Sequence, residues 1–495
     1  MIPDPPPPRG MRPRPLVWPI VAFLLLMATP PAVALALLGV ALVVRGAARA
    51  LRQARWDAEA RRVRTQDGPT VMIGHDDAGR AVCVPERTLA AHGLILGATG
   101  AGKSTTLLAL LEHQIRSGRG VIAIDLKGSP GFAEELRAAA AAAARPFRLW
   151  TPDGPTHWNP LASGNAAELK DKLLGTERFT EPHYRRAAER YLQLAIQVAQ
   201  ESEPGLPVTL ARVVELLSPE RLVAATRRLP RARAERVREY VAALTGDQLS
   251  AVRGLASRLA ILSESHTGPL LEPGAPERTL DLRAALDGGD VVLFSLNSST
   301  YGSLAAMLGT LAVQDVISAT GARLRERPAG GLSALVAIDE FSGLDSGNVV
   351  ALLARGREAG VGVLLATQEL ADLDRVGRGL GDQILGNTAL KIAHRQDVPE
   401  SAERVARLAG TERVWQQGYD RRTPTSLLGA GLGAGWGGRG GSVGTSARLV
   451  DRHRVDPERV STMRTGEALV VIKSPRASAH VTTVRRAPPA REAGR

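Results

Sequence analysis

The chain has 495 residues, 44% of them hydrophobic and only 3% aromatic, with a formal net charge of +13. That length exceeds what one hydrophobic core usually organises, so two or three domains are expected. The single cysteine, Cys83, excludes an intramolecular disulfide framework and suits a reducing cytoplasm. A basic excess of this size fits a polyanionic partner, either nucleic acid or an anionic membrane surface, although a solvated arginine-rich surface gives the same sum.

Residues 1–15, proline-rich and basic, read as disordered. An uncharged apolar stretch follows from Leu16 to Val44, interrupted by Pro30 and Pro31. As one helix it would measure about 43 Å, against the ~30 Å of a bilayer core, so 16–44 reads as a transmembrane anchor. It is either one kinked span or a hairpin of two short helices turning at the prolines. Arginines flank both ends, which favours the hairpin with both ends in the cytoplasm. A secretory signal peptide has the same n-region and h-region, but would export everything downstream, against what the motifs below imply. Residues 45–69 read as a basic juxtamembrane helix, because Arg45, Arg49, Arg52 and Arg55 recur on one helical face. The expected location is the inner (cytoplasmic) membrane, with the remainder of the chain in the cytoplasm.

The soluble part begins at residue 70 with a small hairpin, "TVMIG" and "AVCVP" around "HDDAG". Next comes "GLILGATGAGKST", a short apolar strand running into G-x-x-x-x-G-K-[ST] and then into an apolar-periodic helix. Strand, glycine loop and helix in that order are the context a P-loop requires. Gly97, Ala98, Thr99, Gly100, Ala101, Gly102, Lys103, Ser104 and Thr105 are therefore the nucleotide-binding candidates. Backbone N–H groups and the helix N-terminus face the phosphates of ATP or GTP, Lys103 supplies a point charge, and Ser104 a hydroxyl for Mg2+.

"GVIAIDLKG" and "FRLW" read as further strands, closing the first part of the nucleotide-binding domain at about residue 165. From 166 to 280 the pattern is helical and highly charged without a strand-like run, an all-α insertion. Strands resume with "DVVLFSLN", then "LVAIDEFS", "GVGVLLATQ", "ALKIAHR" and "EALVVIK", so 281–475 completes the domain. The alternation is βαβ, which predicts an α/β fold with a mostly parallel sheet and helices on both faces. Residues 428–445 carry glycines too dense for regular structure and read as a flexible loop, and 476–495 as a disordered tail.

The pair Asp339–Glu340 at the end of "LVAID" gives the second half of the phosphate site. Asp339 is the Walker B carboxylate for Mg2+, and Glu340 the group that orients and deprotonates water. Gln368, at the end of the next strand, is placed to sense the terminal phosphate. Arg357, read as lying on the helix before that strand, is a candidate arginine finger acting within the subunit or across an interface, with Arg355 its rival.

In that order, "GATGAGKST", "HWNPL", the all-α insertion, "AIDEF", "RGREAGVGVLLATQ" and "ILGNTALKIAHR" resemble the TraG/TraD-like coupling proteins of conjugative type IV secretion. These are RecA-like P-loop ATPases of the FtsK/HerA superfamily. The resemblance, over about 70–475, implies a membrane-anchored homo-oligomer, a hexameric ring with ATP sites between subunits and a channel for DNA. It also implies relaxase and secretion-channel partners, with substrate recognition falling on the insertion. The alternatives are a protein-export ATPase and an FtsK-like chromosome-segregation translocase.

Overall fold

A computed structural model describes residues 69–176, 181–326, 331–344, 346–377, 379–421 and 443–486, together with positions 44, 47, 51 and 58. Those four early positions are helical, while the expected anchor at 16–44 and most of the juxtamembrane helix lie outside the described residues. Among the described residues only the helix Ser298–Glu326 is long and apolar enough to cross a membrane. As 61% of its most apolar window is buried inside the protein, it is a core helix.

The strands are β1 (Thr70–Asp76), β2 (Ala81–Pro85), β3 (Gly93–Leu96), β4 (Gly120–Asp125), β5 (Phe147–Trp150), β6 (Val291–Ser295), β7 (Ala334–Asp339), β8 (Val361–Thr367), β9 (Leu390–Ala393), β10 (Thr411–Arg421), β11 (Val443–His453), β12 (Glu467–Ile472) and β13 (Ser478–Val484). All but β10 and β11 form one sheet in the order β2-β1-β13-β12-β9-β3-β8-β7-β4-β6-β5. From β9 to β5 every pairing is parallel. Successive side chains of a strand face opposite sides, so these strands feed two cores. Leu94, Ile122, Phe294, Val336 and Leu365 pack on one face with the insertion and the helix Ser298–Glu326. Ile95, Ala123, Leu293, Leu335 and Leu364 pack on the other with the helices Lys103–Arg116 and Pro130–Ala142.

Three sequence expectations are corrected. "EALVVIK" is a strand, but β12 runs antiparallel to β9 and opens an antiparallel flank that continues through β13, β1 and β2. The tail expected to be disordered from 476 instead supplies β13, seven residues in ladder register between β12 and β1. Its Val481 and Val484 contribute to the cores, an alternation short enough to be hidden by the basic residues around it. Most of the glycine-rich segment, 428–442, lies outside the described residues, but its end at 443–445 belongs to β11, which pairs with β10 as a separate two-stranded ribbon.

The described residues of 166–280 form helices and turns, from Ala166–Leu174 through Pro182–Ser202 to Gly246–Ser263, with no strand beyond the isolated bridge of Thr279 to His157. A buried polar clasp fixes this insertion to the rest. Lys172, 2% exposed, pairs with Asp315 on the helix Ser298–Glu326 at 2.8 Å, and Trp158 Nε1 donates to the other Asp315 oxygen at 2.9 Å. Asn159 spans the same junction, donating to Val208 O at 2.9 Å. The quoted "HWNPL" stretch is thus the seam between insertion and sheet.

Candidate functional site

The glycine loop leaves the C-terminal end of β3 and turns into the helix Lys103–Arg116 at Gly102. Gly102 has φ +120°, and a Cβ there would stand 3.2 Å from the backbone N of Gly466 and from the His394 ring. Both the backbone angle and the close approach require glycine. The loop is fastened from beneath: Gly97 N–H donates to Gln368 O at 3.1 Å, Ala98 N–H to Arg395 O at 3.0 Å, and Gly466 N–H to Ala101 O at 3.0 Å. His394 wedges under it, fully buried. Its Nδ1 donates to Glu467 O at 2.9 Å, so Nε2 accepts from the Thr106 hydroxyl at 2.9 Å. Burial is the main reason that its pKa falls to about 4, helped by the Lys103 charge and opposed by the Glu467 carbonyl.

Lys103, 4% exposed, folds back over the loop and donates to Gly97 O at 2.6 Å and Ala98 O at 3.5 Å. Burial, with the Lys127 charge, lowers its pKa. Ser104 and Thr105 are exposed on the first helical turn.

The carboxylates stand at the same edge of the sheet. Asp339 closes β7 and lies in register with Asp125 of β4 on one side and Ala366 of β8 on the other. Burial pushes the Asp339 pKa up to about 6; the neighbouring Asp125 and Glu340 charges add to this, while Lys127 and Lys103 oppose it. Glu340 follows in the left-handed region, φ 56°, ψ 41°, which turns its side chain away from the direction that a continuing strand would give. Its Oε1 accepts from Lys127 Nζ at 2.6 Å and from Gln368 Nε2 at 3.5 Å. Burial would lower the Lys127 pKa, but the hydrogen bond it donates to Glu340 and the charges of Asp339, Glu340 and Asp125 outweigh it and hold it above the usual value.

The donor set fits Mg2+. Asp339 and Ser104 offer hard oxygens, and a buried carboxylate pushed up to about 6 gains a partner when a cation arrives. Among the described residues no three His, Cys, Asp or Glu side chains gather as an all-protein metal site. Mg2+ suits that scarcity, because it is commonly held by one or two protein ligands plus substrate phosphates.

The structure therefore brings together Lys103, Ser104, Asp339, Glu340 and Gln368, and separates the arginines from them. Arg355 lies in the last turn of the helix Ser346–Gly356, and Arg357 beyond it in the turn that feeds β8, not on the helix as expected; both are exposed. They flank the N-terminal end of β8, whereas Gln368 follows its C-terminal end. Seven strand residues, about 23 Å, intervene. Arg355 and Arg357 therefore stand at the opposite end of β8 from Gln368.

The sequence reading missed three members of the site. Asp125 and Lys127 follow β4 in "IDLKG", a strand ending in Asp beside another strand ending in Asp, and that parallel was the available signal. His394 gave none, since only the tertiary fold slides it beneath the glycine loop.

Two family models match parts of the chain: the TraM recognition site of TraD and TraG over residues 333–464, and the FtsK/SpoIIIE family over residues 50–113. A search of curated proteins found no match. Among solved structures, the unbound bacterial conjugative coupling protein TrwBdeltaN70 aligns with TM-score 0.60 and 15% identity, covering 85% of this chain and 90% of that one. The plasmid coupling protein TrwB with ADP and Mg2+ aligns at TM-score 0.58 and 16% identity, covering 84% and 89%. VirB4 of Thermoanaerobacter pseudethanolicus aligns at TM-score 0.54 and 15% identity, covering 86% and 98%. The comparisons bear out the resemblance to conjugative coupling proteins of the FtsK/HerA superfamily, and the fold is that of their P-loop ATPase domain.

Proposed function

We propose that this chain is a membrane-anchored, ATP-hydrolysing motor of the coupling-protein type, which moves DNA, alone or with an attached relaxase, toward a type IV secretion channel. The observation that supports it is the meeting of Lys103, Ser104, Asp339, Glu340 and Gln368 at one edge of a parallel sheet, from segments that lie far apart in sequence. In this reading Lys103 and the loop N–H groups hold the phosphates of ATP, and Ser104 and Asp339 hold Mg2+. The cation neutralises charge on the transferring phosphoryl group. Glu340 orients the attacking water and accepts its proton, and Gln368 connects that carboxylate to the end of β8. Arg357, remote from its own subunit's site, serves a neighbour's, which favours a closed homo-oligomeric ring, a hexamer by analogy with the family. The apolar segment 16–44 anchors the ring to the inner membrane.

The test is ATP hydrolysis by the full-length chain in detergent, alone and with single- or double-stranded DNA. Several-fold stimulation by DNA is expected. Hydrolysis that DNA leaves unchanged would overturn the DNA-motor reading and favour protein cargo.

A further inference from the structure

Glu340 is already engaged: the ammonium of Lys127 sits 2.6 Å from its Oε1. The loop that carries Lys127 is fixed on every side. The Asp125 carboxylate, 1% exposed, accepts the backbone N–H of Lys127 at 2.9 Å and of Ser129 at 2.7 Å. Ser298 N–H donates to Leu126 O at 2.7 Å and Leu296 N–H to Asp125 O at 2.9 Å, tying the loop to the one after β6. Gly128, at φ +67°, presses on Asn297 so closely that a Cβ would lie 2.7 Å from the Asn297 backbone N. Only glycine fits there, and its place next to Lys127 fixes where the lysine stem starts.

Burial does not compel the ion pair, because the Lys127 side chain is 40% exposed and could reach solvent. Lys103 does not hold Glu340 here: its Nζ donates to Gly97 O and Ala98 O instead. A compact ammonium on a flexible stem exchanges partners more readily than the forked guanidinium of arginine. A terminal phosphate carries more charge than a carboxylate and would compete for it.

We propose that Lys127 is a positioning residue that reports the terminal phosphate to Glu340. It holds the Glu340 carboxylate while the third phosphate is absent, and gives its ammonium to that phosphate when ATP arrives, leaving the carboxylate to face water. The proposal rests on the ATPase reading of the site. It makes Lys127 the residue by which the site distinguishes ATP from ADP.

The experiment measures equilibrium binding of Mg2+–ADP and of a Mg2+-bound non-hydrolysable ATP analogue to the full-length chain, Lys127→Met, Glu340→Gln and the double variant. Lys127→Met should weaken the analogue about tenfold, the scale of one charge-assisted hydrogen bond, and ADP less than about twofold. Glu340→Gln frees the lysine, so it should tighten the analogue a few-fold in the presence of Lys127 and not in its absence. Lys127→Arg keeps the charge and should retain most of the discrimination; it decides the matter if methionine disturbs the loop, which thermal unfolding reveals. Equal loss of both nucleotides in Lys127→Met, or the same Glu340→Gln effect in both backgrounds, overturns the proposal. Wild-type chain that binds neither nucleotide would instead overturn the ATPase reading itself.

Discussion

The two ends of the parallel sheet are built by different physics. At the C-terminal edge, Lys103, Lys127, Asp125, Asp339 and Glu340 crowd together, and burial and mutual charge shift Lys103, Lys127, Asp125 and Asp339 from their ordinary pKa values. On the proposed function, that is the edge a bound phosphate and metal would meet. At the N-terminal edge the organising group is neutral. His92 stands just before β3 at φ 65°, 2% exposed; it accepts Val363 N–H at Nδ1 (3.1 Å), so its Nε2 donates to Leu353 O at 2.8 Å. It locks the helix carrying Arg355 to β8, leaving the arginines outside to meet whatever lies beyond. One edge is crowded with charge and the other is tied by a neutral histidine, a division that suits the proposed finger acting on a neighbour.

The largest expected effect breaks the division by removing the outward group. Arg357→Ala should lower ATP hydrolysis by the assembled protein by about 10³-fold, the lower end for an arginine finger, while leaving nucleotide affinity nearly unchanged. Arg355→Ala should lower it less than about threefold. Mixed with Glu340→Gln subunits, Arg357→Ala subunits should recover part of the activity, because some interfaces then pair an intact finger with an intact carboxylate. Phosphate release from mixtures at several ratios measures this. Mixtures no more active than either variant alone would sink the trans finger.

Why the sequence revealed one edge and not the other follows from the same contrast. The phosphate-binding edge is made of local chemistry: a glycine loop before a helix and an apolar run into Asp339–Glu340 are readable because phosphate and Mg2+ demand fixed residue types at fixed spacing. The insertion was legible for a related reason, as helical periodicity without strands is a property of contiguous residues. His92 and His394 work through backbone groups distant in sequence, Leu353, Val363 and Glu467, which have no residue signature. The antiparallel flank was hidden similarly, since β12 and β13 look like any alternating strand and only ladder register gives their direction. Lys127 lay in plain view in "IDLKG", yet its meaning depends on β4 being the spatial neighbour of β7.

A middle-sized effect sharpens the claim of rigidity. His92→Ala leaves Val363 N–H and Leu353 O without their buried partner and puts alanine at a positive φ, so it should destabilise the fold by about 3 kcal/mol. The thermal midpoint should drop by several degrees. ADP affinity at the other edge should change less than about twofold in protein kept well below that midpoint. An equal loss of ADP affinity would mean that the two edges are not independent.

The smallest effect is a pH dependence in which Asp339 and the two buried histidines have opposite signs. Burial, opposed by the Leu353 carbonyl and helped by the Arg357 charge, lowers His92 to about 4, and His394 falls equally far. Between pH 6.5 and 4 the unfolded chain takes up protons on both residues while the fold does not, so each histidine withdraws stability as pH falls, by at most about 1.4 kcal/mol per pH unit. Asp339 does the reverse. Raised to about 6, it takes up a proton in the fold before the unfolded chain does, so in the empty site it adds stability as pH falls through 6 and offsets one histidine. Mg2+ and nucleotide keep Asp339 ionised, which removes the offset. The thermal midpoint should therefore fall more steeply from pH 7 to 5 with saturating Mg2+–ADP than without ligand, and the two curves should converge toward acid. His92→Asn, which keeps a residue tolerant of positive φ but does not titrate, should flatten both curves equally. Parallel curves would show that Asp339 carries no extra proton in the empty site, and the edge would then be held by its lysines alone.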